Sequence, residues 1–297
     1  DLNLNLRQMV DAGVTDCFLE VSSHALSQKR VCDINFDVGI FTNLSRDHLD
    51  FHSNMEEYKS AKAELFRRNK VRVPIVNIDD QAGKEFAAEL KGDVVSTGIN
   101  NSADFSAENI SLTAIESRFT LKTPNGSTEI RTNLLGEHNI YNLLSASAYA
   151  FTQGISLDMI QGTFRNIPSI PGRFESIGKG QNFSVLVDYA HTEDALSKAI
   201  TAAKVFTEGK VIVVFGCGGD RDKGKREGMG RVAAEEADFA VITSDNPRTE
   251  DPEKIVADIL KGIPASASHT AIVNRREAIE YAINRAKKND LVLIAGK

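Results

Sequence analysis

"KVIVVFGCGG" (residues 210–219) decides the fold of the second half of the chain. Its apolar, mostly β-branched run, ended by glycines, reads as a buried strand flowing into a tight turn. The same signature recurs outward from it in "SVLVDYAH" (184–191), "ADFAVITSDNPR" (237–248), "HTAIVN" (269–274) and "DLVLIAGK" (290–297), with a helical segment between each pair. Strand and helix alternating in this way predict a doubly wound α/β sheet. In such sheets ligands gather beyond the carboxyl ends of the strands, where the unusual polar residues of this half lie.

Moving toward the N-terminus, "NIPSIPGRFE" (166–175) carries two prolines and a glycine that interrupt both periodicities, so a domain boundary is expected near residue 170, giving domains 1–170 and 171–297. A chain of 297 residues with 41% hydrophobic content suits roughly two domains of about 150 residues. In the first, "VTDCFLEV" (14–21) reads as a buried strand, "SSHALSQKRV" (22–31) as a helical start and "DVGIFTNL" (37–44) as a second strand. "NMEEYKSAKAELF" has helical spacing, with Ser53 and Glu56 forming a capping-box signature. Further strands are expected at "VPIVNID" and "DVVSTG", an antiparallel hairpin around "PNG" within 104–135, and an apolar helix over 137–152 closed by Gly154.

The formal charge of −6 leaves no basic footprint for nucleic acid or a membrane surface, and nothing resembles a transmembrane span or signal peptide. Cys17, Cys32 and Cys217 are odd in number and lack metal-type pairing, as expected of reduced thiols in a cytoplasmic protein. The chain starts without Met or a clean domain start, and it ends on a strand end.

Within "TNLSRDHLDFH" (42–52), His48 and His52 stand four apart, flanked by Asp47 and Asp50. That spacing invites a zinc site, but His48 follows a strand in a loop, no glutamate follows it directly, and no nearby cysteine completes a tetrahedral set. On the next helix Met55, Tyr58, Leu65 and Phe66 form the apolar stripe, and Lys62 falls on it. A lysine there is paired, snorkels to water or is chemically altered. "GDRDKGKR" (219–226) matches most of a phosphate-binding P-loop, yet position 226 is Arg rather than Ser or Thr and the match is out of register with the strand. Arg221, Lys223 and Lys225 remain available to an anion. Arg248, behind Pro247, is either poised for a carboxylate or part of an ordinary turn.

Taken jointly, "EVSSHALSQKRV", "FTNLSRDHLDFH", "YKSAKAELF", "GEHNIYNLLSA", "IPGRFE", "VDYAHTEDAL", "GCGGDRDKGKR" and "TSDNPRTEDP" resemble the Mur ligases, most closely the branch that adds meso-diaminopimelate, in family order over the whole chain. The resemblance implies a partial central ATP-binding domain, a mostly parallel sheet plus a small antiparallel one, followed by a Rossmann-like domain that holds the incoming amino acid. It implies ATP-dependent joining of meso-diaminopimelate to UDP-N-acetylmuramoyl-L-alanyl-D-glutamate through an acyl phosphate, in a cytoplasmic monomer that neither binds nucleic acid nor inserts into membrane.

Residue by residue, it assigns Glu20 and His48 to Mg²⁺ and makes Lys62 a carbamylated lysine, whose hard oxygens suit that ion. It gives Ser22 and Arg30 to the UDP-muramoyl dipeptide. Asn139, Asn142, Arg173, Asp188 and His191 fall to ATP, and Arg221, Asp245, Asn246, Arg248 and Gly296 to the amino acid. In "DNPR" the Arg can grip the distal carboxylate that lysine lacks.

The chain departs from the family pattern in lacking the upstream Gly-Lys-Thr loop and UDP-binding domain, in stopping at Gly296 and Lys297 of "GKGHE", and in carrying Glu193 where relatives have Pro. The expectation is therefore a portion of a ligase, inactive by itself. Other readings are a sister ligase adding D-Ala-D-Ala or extending folate with glutamate, or a non-catalytic module binding nucleotide or muropeptide.

Overall fold

The computed structural model describes residues 2–45, 48–49, 51–68, 70–90 and 92–296; Asp47, Asp50 and Lys297 lie outside the described residues. By compactness the chain divides into two units, one of residues 1–107, 122–126 and 141–155, the other of 108–121, 127–140 and 156–297.

The first sheet begins after two helices, α1 (Leu2–Asp11) and α2 (Ser23–Ser27). Its strands are β1 (Phe36–Phe41), β2 (Val71–Asn77), β3 (Val95–Gly98), β4 (Phe105–Leu112), β5 (Ser117–Thr123) and β6 (Gly126–Thr132), neighbours in that order. Pairing is parallel from β1 through β4. Helix α3 (Met55–Arg67) joins β1 to β2, and α4 (Gln81–Glu89) joins β2 to β3. Phe41, Ala63, Val76, Ala82 and Phe86 bury together between strand and helix. The region around "PNG" thus holds three successive strands rather than one hairpin, because Thr113 and Glu116 close a second turn through their backbones.

Three further expectations change. Residues 14–21 form no strand, and Phe18 is 76% exposed. An apolar run becomes a strand only when a neighbour satisfies its ladder, and this stretch pairs with no strand among the described residues. The cap of α3 is Asn54, one residue later than expected; its side chain accepts from the Glu57 N–H at 2.9 Å, while the Glu57 carboxylate accepts from the Ser53 N–H at 2.8 Å. The expected Ser53–Glu56 box is therefore replaced by an Asn54 cap, with Glu57 reaching back to the residue before it. After α5 (Glu137–Thr152), Gly154 stops the helix at φ +75°, and an unexpected helix, α6 (Leu157–Asn166), starts from the Ser156 cap.

The second sheet has the order β11-β10-β9-β12-β8-β7. It comprises β7 (Glu175–Ser176), β8 (Ser184–Asp188), β9 (Val211–Phe215), β10 (Phe239–Ile242), β11 (His269–Ala271) and β12 (Leu291–Ala295), parallel throughout except the β7–β8 pair. The linking helices are α7 (Glu193–Val205), α8 (Gly224–Glu236), α9 (Pro252–Leu260) and α10 (Arg275–Arg285). Alternate residues of each strand face opposite cores: Val211, Val213 and Phe215 pack on α7, α8 and α9, while Ile212 and Val214 pack with Ala278 and Ala282 of α10. Helices on both faces make the strands apolar without alternation, as the opening stretch is. This is a doubly wound, Rossmann-like sheet.

Glu193 is the first residue of α7. Thr192 caps the helix, accepting from the Ala195 N–H at 3.2 Å, and a carboxylate in the first turn complements the helix dipole.

Candidate functional site

In the first unit the loop after β1 is pinned from both sides. Asn77 donates its amide to Thr42 O at 2.8 Å, and Asp80 accepts from the Leu44 N–H at 2.9 Å. The chain then turns at His48, whose φ of +56° lies in the left-handed region that non-glycine residues seldom occupy, and its carbonyl accepts from the N–H groups of Phe51 and His52.

Rings fill the space so made. His48 and His52 lie against the Tyr58 ring, at centroid distances of 5.7 and 5.2 Å, and the Lys62 ammonium stands 5.2 Å from the same ring. His24 of α2 meets His48 at 5.0 Å and Phe51 at 4.0 Å. The structure thus brings His48 and Lys62 to one aromatic ring. Glu20 is exposed in irregular backbone and has no place in that ring group; Arg30 is exposed as well. Ser22 caps α2, its hydroxyl oxygen accepting from the Ala25 N–H at 3.2 Å, which leaves its own O–H to donate.

His52 lies in the loop before α3 but is buried there, 1% exposed, with Nε2 at 2.9 Å from Ser23 Oγ. It joins α2 to α3. Beyond the end of β2, Asp79 accepts from the N–H groups of Ile99, Asn100 and Asn101, the Asn101 amide and the Tyr141 hydroxyl. Burial alone would raise its carboxyl, but the donors outweigh it and hold the pKa below the ordinary range. Asn142, next to Tyr141 on α5, is exposed.

In the second unit Asp188 ends β8, and its two oxygens accept from the N–H groups of Phe174 (3.0 Å) and Ala190 (2.9 Å). The adjoining Arg173 guanidinium lies 4.9 Å from the Tyr189 ring. His191 is exposed, and its carbonyl accepts from Lys225 Nζ at 2.8 Å. Asn139 is buried and donates to Leu135 O at 2.8 Å.

Beyond β9 and β10 two loops run against each other. Gly219 has no room for a side chain, since a Cβ would lie 1.9 Å from Pro247 O; its N–H donates to Asn246 O at 2.8 Å and its carbonyl accepts from Arg248 Nη1 at 2.6 Å. Arg248 and Asp220 both have left-handed backbone, φ +50° and +52°. Arg221 and Arg248, both exposed, are thereby presented by one stitched pair of loops. Gly296 (φ +103°) follows β12, and a Cβ there would lie 3.5 Å from Asp245 Oδ2 and 3.9 Å from Arg275 Nη2.

Arg275 and Arg226 escaped the sequence reading. The Arg275 guanidinium donates to Ala295 O at 3.0 Å, has a second, buried nitrogen without a partner, and is pushed below the ordinary arginine pKa by burial. Arg226 is 1% exposed and bonds Glu250 through both Nη atoms, at 3.0 and 2.8 Å, and Asp258 at 3.1 Å. The guanidinium holds the Glu250 carboxyl down to about 2. An arginine inside a lysine-rich run reads as solvated, so only its burial reveals it. A hollow of about 540 Å³ lined by Met159, Gly162, Thr163, Asn166, Ile167 and Pro168 holds no titratable group and is not part of the site.

These features define an α/β protein whose second half presents charged side chains where doubly wound sheets take ligands. Residues 1–150 match the Mur ligase middle domain and residues 172–297 the glutamate ligase domain of Mur ligases. The chain belongs to the Mur ligase family. It is 47% identical over 301 residues to a UDP-N-acetylmuramoyl-L-alanyl-D-glutamate–2,6-diaminopimelate ligase of Alkaliphilus metalliredigens (strain QYMF), covering 100% of this chain and 61% of that protein. It is 43% identical to the protein of that name from Geobacillus kaustophilus (strain HTA426), covering 100% and 62%. A solved structure of a ligase of that name shares 36% identity at a TM-score of 0.65, covering 94% of this chain and 58% of the other. The chain thus spans about three fifths of the length of the curated relatives it matches. Among the described residues no helix is long and apolar enough to cross a membrane.

Proposed function

We propose that the complete protein uses ATP to join meso-diaminopimelate to UDP-N-acetylmuramoyl-L-alanyl-D-glutamate, with the domain boundary near residue 170. One observation carries the reading: Arg221 and Arg248 stand on loops stitched through Gly219, in the unit where Asp245 and Gly296 adjoin. Two guanidinium groups and a carboxylate suit an amino acid with a second zwitterionic end, and an Arg that meets no carboxylate penalises lysine.

In this reaction the D-glutamate γ-carboxylate takes the γ-phosphoryl group of ATP, giving an acyl phosphate and ADP. The amine of diaminopimelate attacks the carbonyl, the amide forms, and phosphate leaves as the amine loses a proton. Asn139, Asn142, Arg173, Asp188 and His191 serve the nucleotide. Ser22 and Arg30 serve the UDP-muramoyl dipeptide.

Of the three residues assigned to Mg²⁺, His48 and Lys62 share the Tyr58 ring and would hold the ion, whereas Glu20 lies exposed in irregular backbone outside that ring group. As an ammonium Lys62 repels such an ion; as a carbamate it supplies oxygen donors, and it meets the same Tyr58 ring as His48. Bound there, the ion would screen repulsion between carboxylate and triphosphate. The chain's own residues orient the two anions and hold the acceptor amine toward the carbonyl.

The complete protein, given ATP, Mg²⁺ and the UDP-muramoyl dipeptide, is expected to turn over with diaminopimelate and not with lysine. Equal use of both would remove the role of Arg248. Tight binding of nucleotide or dipeptide without turnover would leave a binding module.

A further inference from the structure

The stretch "GDRDKGKR" fails as a P-loop, and its last residue has no part in the chemistry above. We propose that Arg226 is a positioning residue for acceptor choice, acting through Glu250 on the loops that carry Arg221 and Arg248; this rests on the reading of those two arginines as the acceptor's partners.

A buried guanidinium is not there for stability alone. Apolar replacements of buried ion networks are often neutral or stabilising, a cation in the first turn of α8 opposes the helix dipole, and Arg226 Nε is buried without a partner. What the arginine supplies is direction. Its planar fork takes both Glu250 oxygens at 3.0 and 2.8 Å, a geometry that lysine does not reproduce.

From Glu250 the constraint runs into both loops. Glu250 Oε1 accepts from the Asp220 N–H at 2.7 Å, and Asp220 in turn accepts from the Thr249 N–H at 3.1 Å and hydroxyl at 2.8 Å. Arg221 follows Asp220 and Arg248 precedes Thr249, so each acceptor arginine adjoins a residue of this chain of bonds. Asp220 and Arg248 hold left-handed backbone, which relaxes unless neighbours hold it. The third bond, to Asp258 on α9 at 3.1 Å, ties the assembly to the rigid sheet-and-helix layer.

The test is steady-state kinetics of the complete protein bearing Arg226→Lys, Arg226→Met or Glu250→Gln, with KM measured separately for ATP, the UDP-muramoyl dipeptide and diaminopimelate, and with lysine as competing acceptor. Expected is a rise of about tenfold or more in KM for diaminopimelate, a lower diaminopimelate-over-lysine ratio, and KM for the other two substrates within about twofold of wild type. Arg226→Lys should rescue the fold, read by thermal melting, without rescuing that KM. A fall in kcat alone, or equal changes in all three KM values, would make Arg226 a strut and overturn the proposal. Glu250→Gln keeps the test open if the Arg226 variants fail to fold, because it leaves the guanidinium in place; an unchanged KM for diaminopimelate in it is equally fatal. Wild-type protein that does not prefer diaminopimelate overturns the functional reading and this inference together. A wild type that does, with variants that match it, overturns this inference alone.

Discussion

In the first unit Lys62 and His48 meet an aromatic ring; in the second Arg221 and Arg248 stand on loops that a carboxylate–guanidinium pair braces. Tyr58 serves as a floor for His48, His52 and Lys62, a packing of rings and of one ammonium on a ring face. The loop pair of the second unit works the other way, with Arg226, Glu250, Asp220 and Thr249 linked by directional bonds that each end on a carboxylate. Charge-assisted bonds fix angles as well as distances. The residue proposed to change its charge thus meets ring faces, and residues proposed to discriminate substrates stand on loops fixed by directional bonds.

The largest test of this contrast is Lys62→Ala. It should cut turnover of the complete protein by more than about a hundredfold, with the melting temperature little changed and partial recovery on adding a short carboxylic acid. Full activity would refute the carbamate role. His52→Ala comes next, removing a buried ring and its bond to Ser23 Oγ, and should destabilise the fold by about 3 kcal/mol in denaturant titration. His52→Gln, which keeps a hydrogen-bonding tip, should recover part of that. If His52→Ala left stability unchanged but abolished activity, the histidine would belong to the chemistry and the ring floor would lose its structural role.

How much of this was legible follows from where each residue finds its partner. Strands β8 to β12 can be read directly, because a run such as Val211–Phe215 is apolar on both faces and only a sheet covered by helices suits it. Residues 14–21 carry the same signal and are no strand, since nothing in sequence tells whether a ladder partner is present. Lys62 stands out in the sequence because it falls on the apolar stripe of its own helix. His52 does not: its spacing from His48 is a chain distance, whereas its environment comes from Ser23 and Tyr58 on two other elements. Arg226 was hidden for the same reason, its partners lying 24 and 32 residues away. Local signals such as the Asn54 cap were off by one residue, because Ser and Asn offer similar acceptors and the competition is settled by backbone geometry.

The smallest expected effect is the most specific to the charged frame. Glu250 has its carboxyl held at about 2 in the folded protein, first by the Arg226 guanidinium, against an ordinary value of 4.5. A depressed carboxyl contributes stability that is fully present above its unfolded pKa and is lost as pH falls through that value toward the folded one. The contribution should therefore be intact at pH 5 and above and fade between about pH 4.5 and 2. Asp79, Glu57 and Asp258 are also lowered, so the wild-type acid transition is a sum over several groups. Comparing it with Glu250→Gln isolates one of them. The variant should be less stable at neutral pH and should lose less on acidification, so the two melting curves converge near pH 2. Parallel curves from pH 7 down to 2 would mean that Glu250 gains nothing from its charge, leaving the second unit's loops held by backbone contacts and the contrast with the first unit without its basis.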